Sequence, residues 1–253
     1  MIAAGKGHTA VRAQKRARLS DGEVWQKLEL FPTPPWATRA LALHVLPALD
    51  APALDVCALW EPCAGLGHMS ETLREYSPSV VASDLFLYPN APDNIERRDF
   101  LDDDLAAPAV DWVVTNPPFT AAAAMWRRAV GFARVGVAFF CRLQWLEGEE
   151  RYQEIHLACR PTVVAPFVER VALCEGGWDP HCSTATAYAW FVYVRPQWLP
   201  PAWRDGETRL RLIPPGRKQR LSFRSDARLA ALHVPGFVPP SALRRAGRQA
   251  ALL

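Results

Sequence analysis

Four consecutive residues carry the most chemistry in this chain: Asn116, Pro117, Pro118 and Phe119, directly after the apolar run Asp111–Thr115. The chain holds three asparagines among its 253 residues, so one set against two prolines and an aromatic is an unusual pattern. Consecutive prolines fix the backbone and remove its donors, which leaves carbonyl oxygens free to accept. The Asn116 side chain adds a second acceptor beside them. Two acceptors on a stiff corner suit the two protons of an exocyclic NH₂ group. Phe119 supplies a face for a planar ring, a contact worth about 1–3 kcal/mol where the ring is a nucleobase. The expected chemistry is the handling of a planar, amine-bearing substrate.

Two further strand ends carry unusual residues. In Glu61-Pro62-Cys63-Ala64-Gly65-Leu66-Gly67-His68, Gly65 and Gly67 permit a tight turn that brings backbone close to a ligand before a helix begins. Glu61 departs from the dinucleotide fingerprint, because a carboxylate there repels a pyrophosphate. It suits a ligand with a positive charge, such as an α-amino group. Asp84 closes the next apolar run, where it can accept hydrogen bonds from ribose hydroxyls or cap the following turn. Asp99-Phe100 reads by default as a loop acid beside a core aromatic.

These positions need a frame that gathers strand ends. Apolar runs over Leu54–Trp60, Ser79–Ser83, Ile95–Arg98, Asp111–Thr115, Val135–Cys141, Thr162–Ala165 and Tyr188–Val194 predict seven strands. Helical spacing over Thr38–Leu49, Met69–Tyr76, Ala121–Ala133 and Glu149–Cys159 predicts helices between them. The alternation predicts an α/β fold with a doubly wound parallel sheet covered on both faces. Ligands in such sheets bind outside the carboxyl ends of the strands. Residues 1–30 read as a basic, flexible segment and residues 31–195 as the catalytic domain. Paired prolines at 200–201, 214–215 and 239–240 mark 196–253 as a small, irregular, basic appendage.

Composition narrows the class. A chain that is 50% hydrophobic and 22% charged is no disordered tail protein. No apolar run reaches the roughly 18 residues of a membrane span, and the basic N-terminus lacks the apolar core of a signal peptide. A cytoplasmic location is expected. The six cysteines form no C-x-x-C pair, so no metal is expected. Charge is uneven: six Lys/Arg against three Asp/Glu in residues 1–30, eleven against twenty in 31–194, and twelve against three in 195–253. Basic ends around an acidic middle suit a polyanionic partner, though a solvated tail has the same composition.

Over about residues 31–194 these motifs resemble the class I S-adenosylmethionine-dependent amino-methyltransferases, specifically the N6-adenine DNA methyltransferases. Phe31-Pro32-Thr33-Pro34-Pro35 looks like the segment that closes over the methionine end of the cofactor. The stretch Glu61, Pro62, Cys63, Ala64, Gly65 to Gly67 looks like the glycine-rich cofactor motif. Asp84 matches the ribose-binding acid, and Asp99-Phe100 the pair that contacts the cofactor's adenine. Asn116-Pro117-Pro118-Phe119 matches the catalytic motif, and the motif order resembles the γ-type arrangement. The stretch Phe167–Val194, with Arg170 and Tyr188-Ala189-Trp190-Phe191-Val192, is similar to stand-alone enzymes of phage and prophage origin. The C-terminal region departs from the family, being short for a target-recognition domain.

The resemblance implies a Rossmann-like methyltransferase sheet, S-adenosylmethionine as cofactor and DNA as partner. Asn116 and the Pro117 carbonyl would hold the N6 amine of an adenine while Phe119 stacks on its ring, with no strong general base. In duplex DNA the base must leave the stack, at a few kcal/mol. The basic tail would contact phosphates. Arg170 and Trp178, ahead of the last strand, are candidate contacts to the extruded base or a phosphate, or plain surface-loop residues. Three alternatives stay open: an adenine in ribosomal or transfer RNA, a glutamine amide in a protein, and a non-catalytic nucleic-acid-binding module.

Overall fold

Strands that are apolar at every position must be covered on both faces, and the central runs of this chain are of that kind. In β5 (Gly136–Arg142), Phe139 and Phe140 are adjacent, fully buried and on opposite faces of the sheet. Trp190 and Phe191 repeat the arrangement in β7 (Tyr188–Val194). The computed structural model describes residues 29–244. The expected flexible segment falls almost wholly on residues 1–28, outside the described residues.

The other strands are β1 (Ala58–Glu61), β2 (Ser79–Asp84), β3 (Ile95–Arg97), β4 (Trp112–Thr115), β6 (Val163–Pro166) and β8 (Arg209–Leu210). They form one sheet in the order β3-β2-β1-β4-β5-β7-β6-β8. The neighbours from β3 through to β5 are parallel, and β7 runs antiparallel between β5 and β6. The strand order reverses between β1 and β4, so the carboxyl ends of β1, β2, β4 and β5 open onto one crevice. A close approach fixes the β5–β7 spacing: a Cβ on Gly136 would lie 2.6 Å from the Tyr193 carbonyl oxygen.

The helices are short. Among the described residues they are α1 (Pro35–Ala40), α2 (His68–Leu73), α3 (Ala122–Phe132), α4 (Glu149–Arg151), α5 (Arg217–Leu221) and α6 (Ala227–Ala230). α1 begins at Pro35, where a missing N–H costs nothing, and continues through a π turn and a 3₁₀ turn to Ala48. Its Trp36 and Leu41 cover the same face as Trp112, Phe140 and Trp190, and the Trp190 indole donates to the Ala37 carbonyl at 2.9 Å. Deleting a side chain packed like Trp190 costs about 3–5 kcal/mol. α3 lays Met125, Trp126 and Ala129 on the other face.

Several sequence expectations shift. Leu54–Val56 is a 3₁₀ turn, and β1 starts at Ala58, because only Ala58–Glu61 find partners on β2. The Glu149–Cys159 helix is α4 plus a π turn ending at His156. The sheet has eight strands, not seven, and the eighth comes from the supposed appendage.

That appendage is part of the same core. Leu199, Ile213 and Leu221 are buried in the cluster that holds Trp36 and Trp190. Arg39 of α1, fully buried, joins the two regions. Its guanidinium donates to both Asp226 oxygens at 2.7 and 2.8 Å, to the Leu221 carbonyl at 2.6 Å and to Glu75 at 2.5 and 2.7 Å. The Phe223 ring lies 4.0 Å from its central carbon. These partners hold the guanidinium charged, above its ordinary range, against the opposing effect of burial. All three tail acids are paired, Asp205 with Arg209, Glu207 with Arg160 and Asp226 with Arg39.

Candidate active site

The crevice at the carboxyl ends of the strands deepens into a cleft of about 510 Å³, within the range of small-molecule sites. Its walls include Phe31, Thr33, Glu61, Pro62, Cys63, Ala64, Gly65, Asp84, Asp99, Phe100, Asn116, Pro118 and Phe119. The fold therefore gathers thirteen of the eighteen residues singled out from sequence.

The glycine turn ties β1 to β2. Gly65 and Gly67 take φ values of +55° and +81°, which glycine tolerates and other residues resist. The Gly65 N–H donates to Asp84 Oδ2 at 2.8 Å, and the Phe86 N–H donates to Oδ1 at 3.0 Å. Of about four acceptor positions on the carboxylate, at least one remains for a further donor. Burial of Asp84 pushes its carboxyl up to about 6, against the pull of these backbone donors. Glu61 is 2% exposed, and among the described residues its Oε2 has no hydrogen-bond partner. Burial holds its carboxyl well above the usual range, the charge of Asp84 adds to the rise, and Ser70 opposes it. A buried carboxylate oxygen without a donor is costly unless a ligand supplies one. Burial likewise keeps the Cys63 side chain a neutral thiol.

The catalytic-type corner leaves β4 at Asn116. Its side-chain nitrogen donates to the Phe31 carbonyl at 2.9 Å and to Thr33 Oγ1 at 3.1 Å. These two acceptors assign the amide orientation and leave Oδ1 as the free acceptor. Phe119 packs on Phe31 with ring centroids 5.9 Å apart, and the Arg142 guanidinium lies 4.1 Å over its ring. The strap Glu29–Pro34 crosses the cleft. Thr120 N–H donates to Glu29 at 3.3 Å, Gly176 N–H donates to the Leu30 carbonyl at 2.9 Å, and Leu30 packs with Leu66, Tyr88 and Val234. The Asp99 carboxylate accepts from the Leu101 N–H at 2.9 Å, while Phe100 is buried against Trp60.

The remaining sequence candidates lie off the cleft wall. Pro34 is buried, and its carbonyl accepts the Ala37 N–H at 2.9 Å, so it starts α1. Gly67 shapes the turn from behind, and Pro117 is buried. Trp178 is 5% exposed and packs edge-on against His68, with ring centroids 6.2 Å apart. It packs on the first residue of α2 and is not on the cleft wall. Arg170 is exposed and away from the cleft. Sequence reasoning missed Tyr88, Met125 and Trp145 on the wall and Arg142 beside it. Arg142 was findable, since it directly follows the apolar run Val135–Cys141 at a strand's carboxyl end. The others had no local signal.

Among the described residues no group of three or more His, Cys, Asp or Glu side chains could hold a metal ion, and no helix is long and apolar enough to cross a membrane.

Comparison with known proteins places the fold. Neither a protein-family model nor a curated protein matches the sequence. Among solved structures, the M protein of the type I restriction enzyme EcoKI is similar, with a TM-score of 0.50 and 13% identity over 80% of this chain. This chain spans about half of that protein, 52% of its length. A putative RNA methyltransferase from Pyrococcus horikoshii gives a TM-score of 0.48 at 14% identity, covering 74% of this chain and 98% of that one. The modification subunit of a putative type I restriction enzyme from Vibrio vulnificus gives 0.46 at 15% identity, covering 86% of this chain and 53% of that one. The fold is the Rossmann-like α/β fold of methyltransferases.

Proposed function

We propose that this protein transfers a methyl group from S-adenosylmethionine to the exocyclic amine of an adenine in DNA, taken out of its stack. The observation that carries the reading is the Asn116 amide, whose two donors are consumed by Phe31 and Thr33 so that Oδ1 is left as an acceptor beside a proline-locked backbone.

The cofactor is S-adenosylmethionine, which supplies an activated sulfonium methyl when bound. The residues present fit it. The unpartnered Glu61 Oε2 suits the α-amino group, Asp84 suits ribose hydroxyls, and Asp99 with Phe100 suits an adenine edge and face. The M.EcoKI likeness in fold agrees with that assignment.

The remaining chemistry belongs to the chain. Asn116 Oδ1 accepts one proton of the substrate amine, and the Pro117 carbonyl, which takes no backbone N–H among the described residues, is assigned the other although the Pro117 ring is buried behind the cleft wall. Both acceptors stabilise positive charge as it grows on the nitrogen, and they need no reorganisation because prolines and the strap hold them. Phe119 stacks on the base and keeps the amine at this corner. The burial that keeps Cys63 a neutral thiol removes a competing nucleophile from the cleft. No group here needs to act as a strong base, since the proton leaves after nitrogen becomes cationic.

The test is incubation with methyl-labelled S-adenosylmethionine and separate DNA, RNA and protein pools, then nucleoside and amino-acid analysis. Label in N6-methyladenine from DNA is the expected result. Label confined to RNA, or to glutamine, would replace the DNA reading with one of the alternatives.

A further inference from the structure

Among the described residues, Arg142 is the one cation stacked on the corner that the reaction would use. It ends β5, next to β4, and Thr115 of β4 is registered on Phe139 three residues before it. Its side chain is exposed. Among the described residues no carboxylate lies within ion-pair distance of it; its neighbours are the Phe119 ring, 4.1 Å from the guanidinium carbon, and the Tyr188 hydroxyl. The other two arginines at the cleft are held: Arg127 by Glu154, and Arg151 by the carbonyls of residues 144, 145 and 147. Arg142 is thus a cation parked on an aromatic face instead of being locked in a pair.

That face is the one a base would need. A guanidinium is planar, and over Phe119 it covers ring area on which a purine would stack. An exposed cation–π contact is weaker than base–aromatic stacking, so an arriving base outcompetes it. The guanidinium then needs an anion, and the phosphate attached to the extruded nucleotide is the nearest class of anion that such a substrate brings. Guanidinium and phosphate match in a bidentate, charge-assisted pair.

We propose that Arg142 exchanges partners during substrate binding, leaving the Phe119 face to the incoming base and taking a backbone phosphate of the same nucleotide. This inference rests on the nucleic-acid reading of the site. It assigns Arg142 a substrate-binding role that a merely supporting residue would not have.

The test uses the full chain with labelled S-adenosylmethionine and genomic DNA from a strain lacking adenine methylation. Methyl transfer is followed against DNA concentration at several salt concentrations for the wild type, Arg142→Gln and Arg142→Lys. Arg142→Gln is expected to raise KM for DNA about tenfold, leave kcat within about twofold, and make the salt dependence of kcat/KM shallower by about one unit of slope. Arg142→Lys keeps the slope, because the charge remains, but binds more weakly than the wild type because the planar fork is gone. Wild-type KM and slope in Arg142→Gln would overturn the inference alone. Unlabelled DNA with the wild-type protein would overturn the DNA reading and this inference with it.

Discussion

The side-chain amide of Asn116 is bound by its nitrogen to the carbonyl of Phe31, 85 residues earlier in the chain, at 2.9 Å. The strap that crosses the cleft therefore sets the direction of the acceptor at its corner. The position of the strap and the orientation of the amide are held by the same two hydrogen bonds.

The first prediction concerns that coupling. Asn116→Ala is expected to lower kcat by about 10²–10³-fold, in line with the loss of a preorganised charge-stabilising contact. Cofactor affinity measured by calorimetry falls far less, by about tenfold at most, because the strap loses two hydrogen bonds of about 1 kcal/mol yet keeps its ties through Glu29 to Thr120 and Leu30 to Gly176. Thr33→Val removes one of the two orienting bonds and is expected to cost about fivefold in kcat, in line with a hydrogen bond of about 1 kcal/mol, while Thr33→Ser restores the rate. Equal losses of cofactor affinity and rate in Asn116→Ala would remove Asn116 from the reacting end of the cleft.

Cofactor binding should depend on pH with a definite sign. Asp84 in the unliganded protein protonates near 6, because burial penalises its charge. Ribose hydroxyls donate to the ionised form, so affinity rises as pH increases through about 6 and levels off above it. Glu61 acts in the same direction, since burial raises its carboxyl and a cationic ligand favours the carboxylate. Binding near pH 6 thus releases protons, which calorimetry in buffers of different ionisation enthalpy detects. Net proton uptake would contradict the assignment. For the unliganded fold the raised Asp84 value works the other way: its contribution to stability is present below the ordinary carboxylate range and lost as pH rises through about 6.

Asp226→Ala should unfold the protein more easily without touching the cleft. It leaves the fully buried Arg39 guanidinium with Glu75 and one carbonyl, and loss of a buried partner costs about 3 kcal/mol or more. At this size the melting temperature falls by roughly 10 °C. Removal of residues 201–253 is expected to yield unfolded or insoluble protein, because Ile213, Leu221 and Asp226 go with it. A soluble, cooperatively melting truncation would show that the tail is an appendage after all.

Gly65→Ala tests the turn. A side chain at φ +55° costs roughly 1–2 kcal/mol, and the new Cβ would lie 2.7 Å from Leu30 Cδ1 in the strap. The expected outcome is weaker cofactor binding in a protein that still folds. Unchanged affinity by calorimetry would separate the strap's position from the cofactor's.

The strand runs and the three special strand ends were legible because they are local. Fully apolar stretches such as Gly136–Cys141 have no other stable place than the middle of a covered sheet, and Gly65, Asp84 and Asn116 each sit where such a run stops. Element edges were less legible: Leu54–Val56 looks like strand in isolation, yet β2 offers no partners for it. Trp178 looked like a loop residue able to meet a substrate, and instead it is buried beneath His68. A tryptophan's type does not say whether a wall stands in front of it.

Residue order alone decided the class of fold and the chemical character of the cleft, because hydrophobic period and backbone-locking residues act over a few neighbours. Tertiary structure decided the rest. It brought Phe31 and Thr33 against Asn116, placed the unpaired Glu61 oxygen in the cleft, set Arg142 over Phe119, and turned a basic tail into an eighth strand and the partner of a buried arginine. Those relationships join segments tens to nearly two hundred positions apart, and such pairings are settled by packing and charge burial in three dimensions, which no short window of sequence encodes.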